Sequence, residues 1–138
     1  MKKTRIAING FGRIGRAFYK LARTRPELEV VAVNDLGDPS NMAYLLKYDT
    51  AYGKADFVVE VVSGDEPGFI VGGQKVVLVQ EKDATKLPWA KYDIDIVVES
   101  TGFFTSAEAS KVHLDQGAKR VVITAPMKGG SLPDVACV

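Results

Sequence analysis

Near the amino terminus, Gly10-Phe11-Gly12-Arg13-Ile14-Gly15 sets three glycines at G-x-G-x-x-G spacing. On its own such a pattern is weak, because glycine-rich turns are common. Here it follows a short apolar stretch, Arg5 to Asn9, and opens a run with helical periodicity, which is the setting that phosphate binding requires. Gly10 permits a tight turn, Gly12 lets a pyrophosphate approach the backbone, and Gly15 lets the helix pack closely on a sheet. The free amides at the helix start then face the phosphates, aided by the helix dipole. The competing reading is a plain strand-to-helix turn.

Asp35 stands 20 residues beyond Gly15, at the end of a second apolar run. A carboxylate there accepts hydrogen bonds from the adenosine ribose hydroxyls. It also discriminates between cofactors. A 2′-phosphate about 4 Å from it would meet a repulsion of about 4 kcal/mol per unit charge at an effective dielectric of about 20, which favours NAD over NADP. Considered alone, Asp35 reads better as a solvated strand-end acid. Ser100-Thr101-Gly102 leaves the end of another apolar strand, and Thr124 ends the next. If the two strand units lie side by side, these hydroxyls flank the switch-point crevice where ligands sit in open α/β sheets. Their ordinary alternative is loop and helix capping.

The elements that must position these groups follow from periodicity. Arg5 to Asn9 and Glu29 to Asn34 read as buried strands. Between them Ile14, Ala17, Phe18, Leu21 and Ala22 fall at helical spacing until Pro26. So short a crossover predicts parallel strands. Pro39-Ser40 opens a helix carrying Met42, Leu45 and Leu46 on one side. Phe57 to Val62, Phe69 to Val71 and Lys75 to Val79 read as a meander of hairpins, the last turned by Gly72-Gly73 and inserted at the sheet edge. A second strand-helix-strand unit runs from Ile94 to Glu99, through a helix over 105–116, to Arg120–Thr124. Thr105 and Glu108 sit at capping-box spacing and Gly117 stops the helix. Residues 134–138 begin one more strand. The expected fold is a Rossmann-type, doubly wound α/β domain, its mainly parallel sheet carrying an inserted antiparallel hairpin or meander, with residues 1–138 forming one dinucleotide-binding domain.

Composition narrows the rest. Eighteen Lys and Arg against 17 Asp and Glu leave a net charge of +1, which gives no general pull toward nucleic acid or an anionic membrane, so such a partner would need a local patch. A single Cys and a single His exclude an internal disulfide and leave little for a metal site. Purely apolar runs such as Val30 to Val33 are far too short to span a membrane, and the basic start has no signal-peptide core behind it. A soluble cytoplasmic protein is the expectation.

Taken together, the motifs resemble one family. Ala7-Ile8-Asn9-Gly10-Phe11-Gly12-Arg13-Ile14-Gly15-Arg16 is similar to the opening of phosphorylating glyceraldehyde-3-phosphate dehydrogenases. Further matches follow in the family's order: Val33-Asn34-Asp35, Leu45-Leu46-Lys47-Tyr48-Asp49-Thr50, Leu87-Pro88-Trp89, Glu99-Ser100-Thr101-Gly102-Phe103-Phe104-Thr105, Gly117-Ala118-Lys119-Arg120-Val121 and Val122-Ile123-Thr124-Ala125-Pro126. The resemblance implies NAD as cofactor. Arg13 and Ile14 would give backbone amides to the pyrophosphate, Asn34 and Asp35 would hold the adenosine end, and Lys82 would contact adenine through its backbone. Thr101 and Phe104 would pack around the adenine, and Thr124 would lie near the nicotinamide half. The implied cofactor-binding set is Asn9, Gly10, Phe11, Gly12, Arg13, Ile14, Gly15, Asn34, Asp35, Leu36, Lys82, Ser100, Thr101, Gly102, Phe104 and Thr124. The segment Tyr48-Asp49-Thr50 resembles one the family uses near subunit contacts, so a homotetramer is implied for the parent enzyme.

The departures bear on chemistry. The family's nucleophilic cysteine, in a Ser-Cys-Thr-Thr-Asn motif, has no counterpart in these 138 residues. Its catalytic histidine and most substrate contacts belong to a second domain that would begin after Val138. Cys137 has no neighbour that activates a thiol and reads as a structural cysteine. His113 lies within the predicted 105–116 helix and reads as a surface or satisfied side chain. No catalytic and no metal-binding residue is assigned. The expectation is an NAD-binding half whose catalytic domain is absent from this chain and which is inactive alone. Two readings stay beside it: a domain of the related erythrose-4-phosphate dehydrogenase, and a stand-alone NAD-binding or dimerisation module.

Overall fold

The computed structural model describes residues 3–48, 58–101, 107–124 and 135–137. Strand β1 (Thr4–Asn9) leads through a glycine turn into helix α1 (Arg13–Ala22), and β2 (Leu28–Asn34) returns beside β1. The strands are parallel, with a register shift between Ile6 and Ala7. Helix α2 (Pro39–Tyr48) follows, then β3 (Val59–Val62), β4 (Gly68–Val71) and β5 (Gln74–Val79). A single 3-10 turn at Ala84–Lys86 precedes β6 (Ile96–Glu99), α3 (Ala107–Asp115), β7 (Arg120–Ile123) and β8 (Val135–Cys137).

The eight strands among the described residues join one sheet in the order β3-β4-β5-β2-β1-β6-β7-β8. From β5 to β8 every pairing is parallel. Without the β3–β4 pair, this is the doubly wound order in which chain direction across the sheet reverses beside the first strand. The reversal falls between β1 and β6. The β4–β5 hairpin turns at Gly72-Gly73 as the sequence predicts, and β3 pairs antiparallel on its outer side. The meander is less of an insertion than expected, however. β5 is also hydrogen-bonded in parallel to β2, so it is the third strand of the first half of the domain.

The two sheet faces carry separate cores. Ile6, Ile8, Val30 and Val33 pack with Phe11, Tyr19, Met42, Leu46, Phe69 and Leu78. Ala7, Ala32 and Val97 pack with Val77, Leu87, Trp89, Ile94 and Ala118. Central parallel strands are buried on both faces, which is why they read as continuous apolar runs rather than alternating ones.

Helix α1 departs from its sequence pattern. Gly15, Arg16, Tyr19 and Ala22 are its buried residues, whereas Ile14 is 57% and Leu21 59% exposed. Apolar spacing located the helix and its inward Ala22 and half-buried Phe18, but it misplaced Ile14 and Leu21 and missed Arg16 and Tyr19. Tyr19 and the aliphatic stem of an arginine bury as much carbon as a leucine does, so residue type alone misjudges such a helix. Gly117, with φ +111°, ends α3 where predicted. A Cβ there would come 2.7 Å from the Cβ of Ala90. Thr105 and the segment 49–50 lie outside the described residues, as does the side chain of Glu108, so the proposed capping pair falls outside what is described. No helix among the described residues is long and apolar enough to cross a membrane.

Candidate functional site

The carboxyl ends of β2, β1 and β6 open onto a cleft of about 590 Å³. Its lining includes Asn9, Gly10, Gly12, Asn34, Asp35, Leu36, Lys82, Ser100 and Thr101 from the predicted set, together with Glu81 and Leu87, which sequence reasoning missed. Their positions explain the omission. Glu81 and Leu87 follow β5, and only the parallel β2–β5 pairing carries that segment to the cleft.

The glycine loop is built by contacts at two of its glycines and by open space at the third. Gly10 has φ +93°, and a Cβ on it would lie 2.7 Å from the Thr101 nitrogen. A Cβ on Gly15 would lie 2.3 Å from the Gly10 carbonyl oxygen and 3.2 Å from Cγ2 of Ile8, so the helix can approach the sheet only without a side chain. Gly12 is the reverse: nothing among the described residues lies within 4 Å of its hypothetical Cβ. It is also the N-cap of α1, no side chain caps the helix, and the first turn holds no acidic residue. The leading amides of a helix have no intrahelical acceptor, so they are presented with a positive partial charge and no competing carboxylate.

Asp35 is held by both oxygens. Oδ2 accepts from the Phe11 amide at 2.8 Å and Oδ1 from the Gly37 amide at 2.8 Å. Each carboxylate oxygen has a further lone pair for a ligand hydroxyl. The Phe11 ring meanwhile is in the core, edge-on to Tyr19 and stacked with Phe69. Its part in the site is therefore its backbone.

Several predicted contact side chains are already engaged within the protein. Ser100 Oγ donates to the Gly10 carbonyl at 2.6 Å, stapling the two loops that form the crevice. Asn34 Nδ2 donates to Asn9 Oδ1 at 2.8 Å and to the Glu81 carbonyl at 3.1 Å, while Asn34 Oδ1 accepts from the Glu81 amide at 2.9 Å. Asn34 thus clamps the segment that carries Lys82. Thr124 does not line the cleft; its Oγ1 donates to the Glu99 carbonyl at 3.2 Å. Arg13 and Ile14 are exposed at the start of α1. Gly102 and Phe104 lie outside the described residues.

Beneath the cleft lies a buried polar chain. Glu99, 1% exposed, accepts from Asn9 Nδ2 at 2.7 Å and from Thr101 Oγ1 at 2.6 Å, and its Oε2 lies 2.6 Å from His113 Nε2. His113, wholly buried, accepts at Nδ1 from the Trp89 indole at 3.1 Å. An indole N–H can only donate, so Nδ1 is the acceptor and the ring proton sits on Nε2, aimed at Glu99. Of the two readings left open for His113, the satisfied buried side chain is the one found. A charged residue ending an otherwise apolar strand was the visible signal for this chain, since a buried carboxylate needs partners.

Comparison with known proteins agrees with this geometry. Residues 4–107 match the family model described as glyceraldehyde 3-phosphate dehydrogenase, NAD binding domain. The chain is 48% identical over 134 residues to the glyceraldehyde-3-phosphate dehydrogenase of Mycoplasma pneumoniae, covering 97% of this chain and 39% of that protein. It is 45% identical over 124 residues to the cytosolic enzyme of Trypanosoma brucei brucei, covering 90% and 37%. It is 48% identical over 127 residues to that of Thermotoga maritima, covering 91% and 37%. The chain thus spans less than two-fifths of the length of these relatives.

Proposed function

The chain belongs to the glyceraldehyde 3-phosphate dehydrogenase family, as its NAD-binding domain, and from that premise we propose how the cleft holds NAD and what it contributes to catalysis. The observation that carries the reading is the pairing of an open Gly12 at an uncapped helix start with Asp35 across the loop. The pyrophosphate lies against Gly12 and the first amides of α1, where a Cβ would otherwise intrude. The adenosine ribose hydroxyls donate to the lone pairs left on Asp35. The base continues past Leu36 toward the 81–82 segment and Thr101.

Bound there, NAD supplies a hydride acceptor. The protein's own residues bind and orient it: backbone amides neutralise phosphate charge, Asp35 sets the direction of the adenosine half, and the Ser100 staple holds the two loops at a fixed spacing. The parent reaction oxidises glyceraldehyde 3-phosphate with NAD and phosphate to 1,3-bisphosphoglycerate. These 138 residues bind the cofactor and do not turn over alone, because they hold no Ser-Cys-Thr-Thr-Asn nucleophile motif. We place the parent enzyme in the cytoplasm as a homotetramer. Exposed Ile14, Leu21, Tyr44 and Val58 fit a domain that packs against further protein.

Calorimetric titration with NAD, and with NADP for comparison, tests the site. Saturable binding that favours NAD is expected. At a hundred times the dissociation constant NAD adds about 2.7 kcal/mol of stability, read as a raised melting temperature. A folded protein that binds neither nucleotide refutes the reading. Turnover of glyceraldehyde 3-phosphate with NAD and phosphate refutes the claim of inactivity alone.

A further inference from the structure

The two walls of the cleft are joined under its floor by one continuous hydrogen-bonded chain. On one side the Glu81 amide and carbonyl are both held by Asn34. Asn34 donates to Asn9, Asn9 to Glu99, and Glu99 receives the Thr101 hydroxyl and amide on the opposite wall. His113 and Trp89 close the chain from below, on α3 and the segment before β6. The Asn34–Asn9 and Asn9–Glu99 links cross from one strand end to the next, β2 to β1 to β6. The backbone ladder runs alongside, the Gly10 amide donating to the Asn34 carbonyl and the Ser100 amide to the Asn9 carbonyl, each at 2.8 Å, and the side-chain links carry that connection out to Glu81 and Thr101.

We propose that Glu99, locked by His113, is a positioning residue for the cofactor: it fixes the spacing between the 81–82 segment and Thr101, and so the width of the slot that takes the adenosine half. This rests on the NAD reading above. Direction matters in the chain. The Thr101 hydroxyl spends its proton on Glu99, so toward the cleft it offers only lone pairs. Both Asn34 amide protons are committed as well, so Asn34 sets the wall and leaves ligand contact to the backbone of the segment it clamps. Glu99 is the one member that accepts from both sides, and an amide in its place would set N–H groups against N–H groups. Buried polar chains of this kind rigidify when every member is satisfied and loosen when one is not.

The test uses Glu99→Gln and His113→Gln, neither of which alters a residue lining the cleft. Two readouts are taken. In 15N-labelled protein without nucleotide, the amide resonances of Glu81 and Lys82 are expected to shift in His113→Gln, although several side chains separate them from the substitution. In calorimetry, Glu99→Gln is expected to weaken NAD and AMP alike by about tenfold, the loss of one satisfied buried hydrogen bond, and to leave nicotinamide mononucleotide within twofold. Resonance changes confined to the surroundings of His113 and Trp89, or NAD binding unchanged in folded variants, would overturn the proposal. Should Glu99→Gln not fold, His113→Gln carries both readouts. Because the resonance comparison needs no nucleotide, a wild-type protein that fails to bind NAD overturns the cofactor reading and the slot assignment with it, whereas unmoved 81–82 amides overturn the relay alone.

Discussion

Gly12 and Gly15 are three residues apart in one motif, yet the structure assigns them opposite physical roles, and alanine at each separates stability from binding. At Gly15 the new Cβ would stand 2.3 Å from a backbone oxygen and 3.1 Å from Ser100 Oγ. A backbone atom cannot swing aside, so α1 must lift from the sheet. Overpacking of this kind costs about 2–3 kcal/mol. For a 138-residue chain, with an unfolding entropy of about 0.29 kcal/mol/K, that is a fall in melting temperature of about 7–10 °C. At Gly12 the Cβ meets nothing within 4 Å among the described residues, and φ is −80°, which alanine adopts without strain. The remaining cost is a poorer N-cap, about 0.5–1 kcal/mol, or about 2–3 °C. The same Cβ stands where the pyrophosphate must approach, and losing one charge-assisted amide–phosphate bond costs about 1.5–3 kcal/mol, more than tenfold in affinity. Differential scanning calorimetry and NAD titration on both variants measure the two effects. A Gly12→Ala protein that binds NAD within twofold of wild type, or a Gly15→Ala protein that melts with wild type, would refute the division of roles.

Asp35→Ala removes the carboxylate that would repel a 2′-phosphate, so the NAD preference over NADP should narrow by at least tenfold in paired titrations; an unchanged ratio would remove Asp35 as the selector. The Tyr19 hydroxyl has its pKa raised by burial, partly offset by its hydrogen bond to Arg23 and that residue's charge. A raised folded-state pKa means stability that is complete below the ordinary tyrosine range, near pH 10, and lost as pH rises through the folded-state value. Urea midpoints should therefore fall above about pH 10, and Tyr19→Phe should flatten that fall; a parallel decline in both proteins contradicts it. Trp89, the sole tryptophan, is wholly buried. Its fluorescence should lie to the blue and shift red on unfolding, and Trp89→Phe, which strips the donor from His113 Nδ1, should cost about 1–3 kcal/mol in chemical denaturation.

The sequence by itself determined what depends on near neighbours. Glycine spacing between an apolar run and a helical one marked the phosphate loop, Gly72-Gly73 marked a hairpin, Gly117 marked a helix stop, and the alternation of strand and helix predicted the parallel sheet. Residue motifs that follow in the family's order also carried the resemblance. Tertiary structure decided whatever depends on partners distant in the chain. Nothing local shows that α1 buries Arg16 and Tyr19 while Ile14 faces outward, because a helix's inner face is set by the sheet beneath it. Nothing local brings β5 into the parallel core, or Glu81 and Leu87 to the cleft behind it. Above all, Asn9, Asn34, Glu99 and His113 are separated by up to about a hundred positions, and only strands laid side by side at about 4.7–4.9 Å, with α3 packed against them, put their side chains within hydrogen-bond reach. Spacing along the chain measures helices and turns; contact across a sheet is decided by which strands become neighbours.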